Sequence, residues 1–182
     1  MNKIIIESRR KKLKTLKNKY KGYPIIDVTS KAENPWVKFS PFYPHGNIPI
    51  PFSEGYFSKS VEGVWQGLKV FESSDIDVKK FEIDSMKNIK RTVRKNGKVL
   101  GHQKGLLKNL ELLSYIDARN LIYLPCYNFV LKRYLEDEIQ KLKSIAEKTG
   151  IILLDYETNA DINNISKPLS HASLIKKFIE SS

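Results

Sequence analysis

Three residues of one short segment have the types and the spacing to do chemistry. Glu62, Gln66 and Lys69 stand at i, i+4 and i+7, so a helix would project a carboxylate, an amide and an amine from one face. Trp65 flanks that face, and Gly63 and Gly67 leave bare helix surface beside it. Each interior glycine costs a helix about 1 kcal/mol relative to alanine, a cost that makes sense where another backbone or a ligand approaches closely. A carboxylate can steady positive charge or move a proton, and an unprotonated amine can attack carbon. The competing reading is a solvated helix face or a buried structural ion pair.

Other candidates surround this centre in sequence. Ser40, Phe42 and Tyr43, with His45 and Asn47, lie on a proline-rich stretch, where aromatics could stack a base and polar groups could orient a ribose. A loop pinned by its own aromatics is the alternative there. Asp155, Glu157, Asn159 and Asp161 follow the apolar run Ile151–Leu154, and ligands often bind beyond the carboxyl ends of strands. Asp155 is taken as a third catalytic candidate, with Glu157 and Asn159 as substrate contacts. His171, after Ser170, reads as part of a helix cap, and Cys126 reads as packing. No Walker loop, dinucleotide fingerprint or metal-ligand spacing is present, so neither cofactor nor metal is expected.

The elements that must position these groups follow from pattern. Residues 7–19 predict a basic helix, and Pro24–Thr29 and Trp36–Ser40 predict short strands. Residues 41–57 hold four prolines and two glycines among aromatics, which predicts a long ordered loop. Ser60 can N-cap a helix over 60–72, with Val61, Val64, Trp65, Leu68 and Phe71 at helical spacing. Further helices are predicted over 85–94, 106–118 and 126–148, a buried strand over 151–154, and a last helix opened by Pro168. Together they describe an α+β chain: a basic N-terminal helix or arm over 1–22 and a single, mostly helical domain with a few short strands over 23–182.

The charge is segregated. Residues 1–22 carry nine cations, Arg9 and Arg10 among them, against Glu7 alone. Residues 86–108 carry eight, including Lys90, Arg91, Arg94 and Lys95, and no acid. Each segment is thus +8, and since the whole chain is +12, the remainder is −4. Two basic stripes can follow a phosphate backbone, and His102, between basic neighbours, could meet a phosphate. The expected partner is therefore nucleic acid, with DNA favoured, although a lysine-rich composition alone would also keep a chain in solution. No run is long and apolar enough to span a bilayer. The single cysteine excludes an intramolecular disulfide framework. A charged start without a signal-peptide layout leads to the expectation of a cytoplasmic protein.

The stretch Phe39-Ser40-Pro41-Phe42-Tyr43-Pro44, followed by Ser60-Val61-Glu62-Gly63-Val64-Trp65-Gln66-Gly67-Leu68-Lys69, resembles the NADAR (YbiA-like) superfamily. That family shows a Phe-Ser-Asn-Phe-like segment and then Ser-x-Glu-His-x-Phe-Gln-x-x-Lys. Gly63 replaces its histidine and Trp65 its phenylalanine, and the resemblance extends to an uncharacterised bacterial and viral family. It implies a NADAR-like fold and hydrolysis of an N-glycosidic bond, either of ADP-ribose on a nucleic-acid base or of a small ribosylamino-pyrimidine. It also implies that Lys69 is the amine nucleophile.

The chemistry is consistent in outline. A glycosidic carbon turns oxocarbenium-like as the base departs, so a nearby carboxylate stabilises it. An amine can capture that carbon as an imine only when unprotonated. Burial would lower the pKa of Lys69 and a close Glu62 would raise it; a charged, paired lysine would instead donate a proton to the leaving base. Three functions remain in play. The first is a glycosidase on an ADP-ribosylated or otherwise modified nucleic-acid base, which could act as a DNA glycosylase in host–virus conflict and would extrude a duplex base. The second is a small-nucleotide glycosidase, and the third is a non-catalytic nucleic-acid-binding protein.

Overall fold

A computed structural model of the chain describes residues 3–107 and 111–181. In chain order the elements begin with β1 (Ile4–Ser8), α1 (Leu13–Lys19), β2 (Ile25–Asp27), β3 (Ile48–Pro49) and β4 (Phe57–Ser58). Next come α2 (Val61–Gly67), β5 (Lys69–Phe71), α3 (Val93–Asn96), β6 (Val99–Gln103) and β7 (Leu112–Leu113). The chain closes with α4 (Tyr115–Ala118), a π-helical segment Arg119–Tyr123, α5 (Leu124–Tyr134), α6 (Glu136–Thr149), β8 (Ile151–Asp155) and α7 (His171–Glu180). This is an α+β fold of several helices and short strands. No helix among the described residues is long and apolar enough to cross a membrane.

The chain divides into two compact units, Met1–Ser40 with Leu131–Ser182, and Pro41–Val130. The first is built on a parallel sheet ordered β1-β8-β2, with Ile4 opposite Ile151 and Ile25 opposite Ile152. Every residue of β8 is buried, as a central parallel strand requires. Leu16 of α1 packs with Ile152 and Leu154 on one face, while α6 and α7 also pack on β8. Each such aliphatic side chain contributes about 1.5–3 kcal/mol by leaving water. Residues 1–22, expected as a helix or arm, therefore behave differently from that reading. The apolar Ile4–Ile6 run makes a sheet strand, and the helix starts only at Leu13.

The second unit holds the antiparallel sheet β5-β6-β7, the two-residue hairpin β3-β4 and the wholly buried α2. Helix α2 packs on the 3-10 turn Val78–Glu82. A Cβ on Gly63 would lie 2.8 Å from the Lys80 carbonyl, and one on Gly67 2.2 Å from the Phe81 ring. The close approach inferred from these glycines is real, and what approaches is this turn.

Several predicted elements take another form. Trp36–Phe39 is a 3-10 turn, whose three-residue period stacks the Trp36 and Phe39 rings at 6.3 Å. The 85–94 helix is replaced by irregular chain and the short α3: Ile89 is its one buried apolar residue, and Asn88 has φ +60°. The 106–118 helix falls partly on 108–110, outside the described residues; beyond them β7 and α4 form. The 126–148 helix is broken at Leu135, where Glu136, Asp137 and Glu138 open α6 with acids suited to its dipole. Pro168 precedes α7, whose N-cap is Ser170. The strand expected over 151–154 forms as β8, and the one expected over 24–29 is shorter, Ile25–Asp27. The loop expected over 41–57 is interrupted by β3 and runs into β4, and these two strands pair as a hairpin.

Candidate functional site

The N-terminus of α2 is fixed by its sequence. The Ser60 hydroxyl oxygen accepts a hydrogen bond from the Gly63 amide at 3.0 Å, and the Glu62 amide donates to the Pro41 carbonyl at 2.8 Å. Glu62 is only 8% exposed, and its Oε1 accepts from Gln66 Nε2 at 2.8 Å. Gln66 is held in turn by the Arg91 amide, which donates to its Oε1 at 3.0 Å. The i, i+4 half of the expected trio thus forms on one helix.

Lys69 does not continue that helix. Gly67 is its last residue, Leu68 caps it, and Lys69 opens β5, paired across the sheet with His102 of β6. The Gln103 amide donates to the Leu68 carbonyl at 2.8 Å, so β-pairing takes over where Phe81 crowds Gly67. The amine still reaches the cluster: Nζ lies 5.5 Å from the Trp65 ring centroid. The indole is also packed by aromatic groups. His102 lies against it at 3.8 Å, and Tyr115 and Tyr123 meet it edge-on at 5.5 and 5.6 Å.

His102 has no exposed surface, and neither ring nitrogen has a hydrogen-bond partner among the described residues. Burial, reinforced by the charge on Lys69, pushes its pKa down to about 3 against a favourable backbone group of Trp65. It is therefore a neutral imidazole under the indole. The phosphate contact expected for His102 is corrected by this burial, because a side chain with no accessible surface cannot meet a strand.

Burial moves the two reactive candidates toward their uncharged forms. It raises the Glu62 pKa, with the Gln66 hydrogen bond and then the Lys69 and Lys90 charges pulling the other way. It lowers that of Lys69; Glu62 opposes the change, and the cations Arg91 and Lys90 add to it. Glu62 and Lys69 form no ion pair with each other among the described residues. In its protonated form a carboxyl group can donate a proton, and in its neutral form an amine can attack an electrophilic carbon.

The basic residues of this unit divide in two. Arg91 is an internal clamp. Its guanidinium donates to the Gln66, Lys69 and Asp75 carbonyls and to Ser74, and stacks on Phe71 at 4.8 Å. Lys90, Arg94 and Lys95 are exposed, and Lys90 Nζ lies 5.3 Å from the Phe42 ring. Tyr43 packs on His45 at 4.8 Å. Lys108 lies outside the described residues.

Ser40, Arg9, Arg10, Asp155, Glu157 and Asn159 belong to the first unit. Ser40 is buried, its amide donating to the Val37 carbonyl at 3.0 Å. Arg9 pairs with Asp27 at 2.6 Å, and Arg10 reaches the Tyr156 carbonyl at 2.6 Å and Glu157 at 3.3 Å. Asn159 braces its own loop through the Asn164 and Lys167 carbonyls, both at 3.2 Å, while the Asp161 amide donates to its side chain. Asp155 is 4% exposed and braces the α7 N-terminus beside the Ser170 N-cap. Its Oδ2 accepts from Ser170 Oγ at 2.8 Å and the Ala172 amide at 3.2 Å, and pairs with His171 Nδ1 at 3.0 Å. His171 Nε2 donates to the Val28 carbonyl at 2.8 Å. These partners occupy the Asp155 carboxylate as a structural brace. Among the described residues no group of three or more His, Cys, Asp or Glu side chains could hold a metal ion.

Sequence reasoning missed the parts of the cluster that come from elsewhere in the chain. His102 joins it through sheet register, Arg91 through a side-chain clamp, and Tyr115 and Tyr123 through tertiary packing. The spacing of Lys69 from the Gly67 terminator was the one local hint. Residues 8–175 match DUF6939, described as a family of unknown function, and the chain belongs to that family. No curated protein and no solved structure matches it significantly.

Proposed function

We propose that this DUF6939 member is an N-glycosyl hydrolase acting in the cytoplasm on an ADP-ribosylated or otherwise modified nucleic-acid base. The observation that carries the reading is the Glu62–Lys69 combination beside Trp65, which forms no ion pair among the described residues and in which burial shifts the acid and the amine toward their neutral forms. The resemblance of this segment to the NADAR superfamily supports the same chemistry.

In the proposed reaction Lys69 Nζ attacks ribose C1. The C1–base bond breaks, and the base leaves with the bonding pair and takes a proton from the Glu62 carboxylic acid. The resulting carboxylate faces the positively charged carbon and stabilises it. The Glu62 carboxylate takes back one proton from the attached amine, and the ring oxygen takes the other as its bond to C1 breaks and the ribose opens to an imine. Water then hydrolyses that imine, releasing the sugar and restoring the lysine. Gln66 holds the Glu62 side chain through its hydrogen bond, and Arg91 holds Gln66 and the Lys69 backbone.

Borohydride reduction during turnover of an ADP-ribosylated oligonucleotide tests this directly. The wild-type chain should be trapped as a covalent adduct with the sugar, and Lys69→Ala should give none. An adduct that survives in Lys69→Ala removes the nucleophile. Mass spectrometry that finds no base released from a panel of modified DNAs and RNAs removes the activity.

A further inference from the structure

The second unit contains a polar concavity that the proposed reaction leaves unused. Lys80, Lys90, Arg91, Lys95, Asp75 and Asp77 line a cavity of about 380 Å³. Four cations face two carboxylates there, an excess of +2. None of the four makes an ion pair among the described residues. The carboxylates are engaged locally instead: Asp75 accepts from the Ile76 amide and Asp77 from the Lys79 amide. Lys80 spends one of its three donors on the Asn88 carbonyl at 2.7 Å. Lys90 and Lys95 are exposed, so their ammonium groups are free to turn toward a guest.

The cavity is linked to the reactive pair by one side chain. The Arg91 guanidinium donates to the Lys69 carbonyl with one nitrogen and to Ser74 and Asp75 in the cavity wall with the other. Lys90, on the same wall, is near enough for its charge to act on both Glu62 and Lys69. A surplus of unpaired cations in a polar hollow suits an anion with several acceptor oxygens.

We propose that this hollow is a phosphate site, which holds a phosphate or pyrophosphate of the molecule whose glycosidic bond reaches Glu62 and Lys69. The identity of the rest of that molecule rests on the glycosidase reading; the anion site itself does not. Phosphate held here fixes the substrate at one end while the base and C1 lie beside Trp65. Lys90 and Lys95 supply the ammonium donors, and Arg91 supplies charge from a rigid position.

Calorimetric titration with inorganic pyrophosphate tests the site without any turnover. Saturable binding to the full chain is expected, weakened roughly tenfold in Lys90→Gln and in Lys95→Gln, the cost of one charge-assisted contact. Lys148→Gln, an exposed change in α6, should bind as the wild type does. No saturable binding, or equal weakening in Lys148→Gln, overturns the site. Competition then separates the two sources of phosphate. ADP-ribose alone displacing pyrophosphate points to a nucleotide adduct, an unmodified oligonucleotide displacing it points to the strand's own phosphates, and displacement by neither overturns the site's role in holding the substrate. Pyrophosphate binding with no base release upholds the anion site and refutes the glycosidase, and base release with no pyrophosphate binding does the reverse.

Discussion

His171 in the first unit and His102 in the second are both buried imidazoles, yet their surroundings are opposite. His171 has a partner at each nitrogen, Asp155 on one side and the Val28 carbonyl on the other. Burial alone would drive its proton off; the Asp155 charge and these hydrogen bonds outweigh burial and leave its pKa raised. His102 has aromatic rings and a nearby lysine where those partners would be. A buried charge with every hydrogen bond satisfied is how a fold braces itself. Buried titratable groups whose partners do not offset burial gather where chemistry needs uncharged acids and bases. By that criterion the Asp155 network is scaffold and the Glu62–Lys69–His102 cluster is the site, although sequence alone ranked Asp155 beside Glu62 and Lys69.

The sharpest break of this contrast is an exchange of phenotypes. Lys69→Met should abolish base release, by about a thousandfold or more for loss of a nucleophile. It should leave urea stability unchanged or slightly raised, because it removes a half-buried amine that has no ion pair. Asp155→Ala should do the opposite. It removes the buried carboxylate shared by His171, Ser170 and the Ala172 amide, costing about 3–5 kcal/mol, while any enzyme that remains folded keeps its turnover. Measured side by side, a stable but inactive Asp155→Ala, or an unfolded Lys69→Met, would reverse the assignment of the two regions.

How much of this could be read in advance depends on how local each determinant is. Ser60 is a cap because of its own side chain and the amide three residues on, so the start of α2 was legible. Ile151–Leu154 is too apolar to be anything but buried, and it is the central strand. The end of α2 was not legible, since Val70 and Phe71 suit a helix face as well as a strand. What decides is the Phe81 ring against Gly67 and the pairing of Lys69 with His102, both long-range. The same holds for Arg91. Its charge suggested a phosphate, and four internal acceptors lie within reach of its guanidinium only once 66–75 has folded. The +8 of residues 1–22 masked Ile4–Ile6, which pairs with a strand nearly 150 residues away in sequence.

Acidity provides a second way to separate the regions. The stabilisation from His171 is complete below its unfolded pKa of about 6.5 and is lost as pH rises through its raised folded value. Asp155 would be raised by burial, but the His171 charge and its hydrogen bonds hold it low. Its contribution is complete above about pH 4 and is lost as pH falls through that lowered value. His102 acts in the other direction from His171. With a folded pKa of about 3, it favours the unfolded chain increasingly as pH drops from about 6.5. Urea unfolding between pH 4 and 6 should therefore weaken on acidification by up to about 1 kcal/mol per pH unit. His171→Leu should retain that slope and lose the weakening above pH 6.5, and His102→Leu should do the reverse. Identical slopes in both variants would place the two histidines in equivalent environments.

The smallest effect is the most specific. His102→Leu replaces two unpartnered buried nitrogens with carbon of similar bulk against Trp65. An unmade hydrogen bond of this kind costs about 1–3 kcal/mol, and the lost ring contact returns part of that, so a net gain of about 1 kcal/mol at pH 7 is expected. The neighbouring amine supplies an independent readout. Lys69 is held down first by burial, and His102 is uncharged at neutral pH, so His102→Leu should leave the acid limb of the pH–rate profile of base release where it stands in the wild type. A variant that loses stability would show that the imidazole has polar company in solution, and would move His102 into the same class as His171. A variant that gains stability but shifts the acid limb would instead make the imidazole a positioning group for Lys69, since only the amine's own titration reads out there.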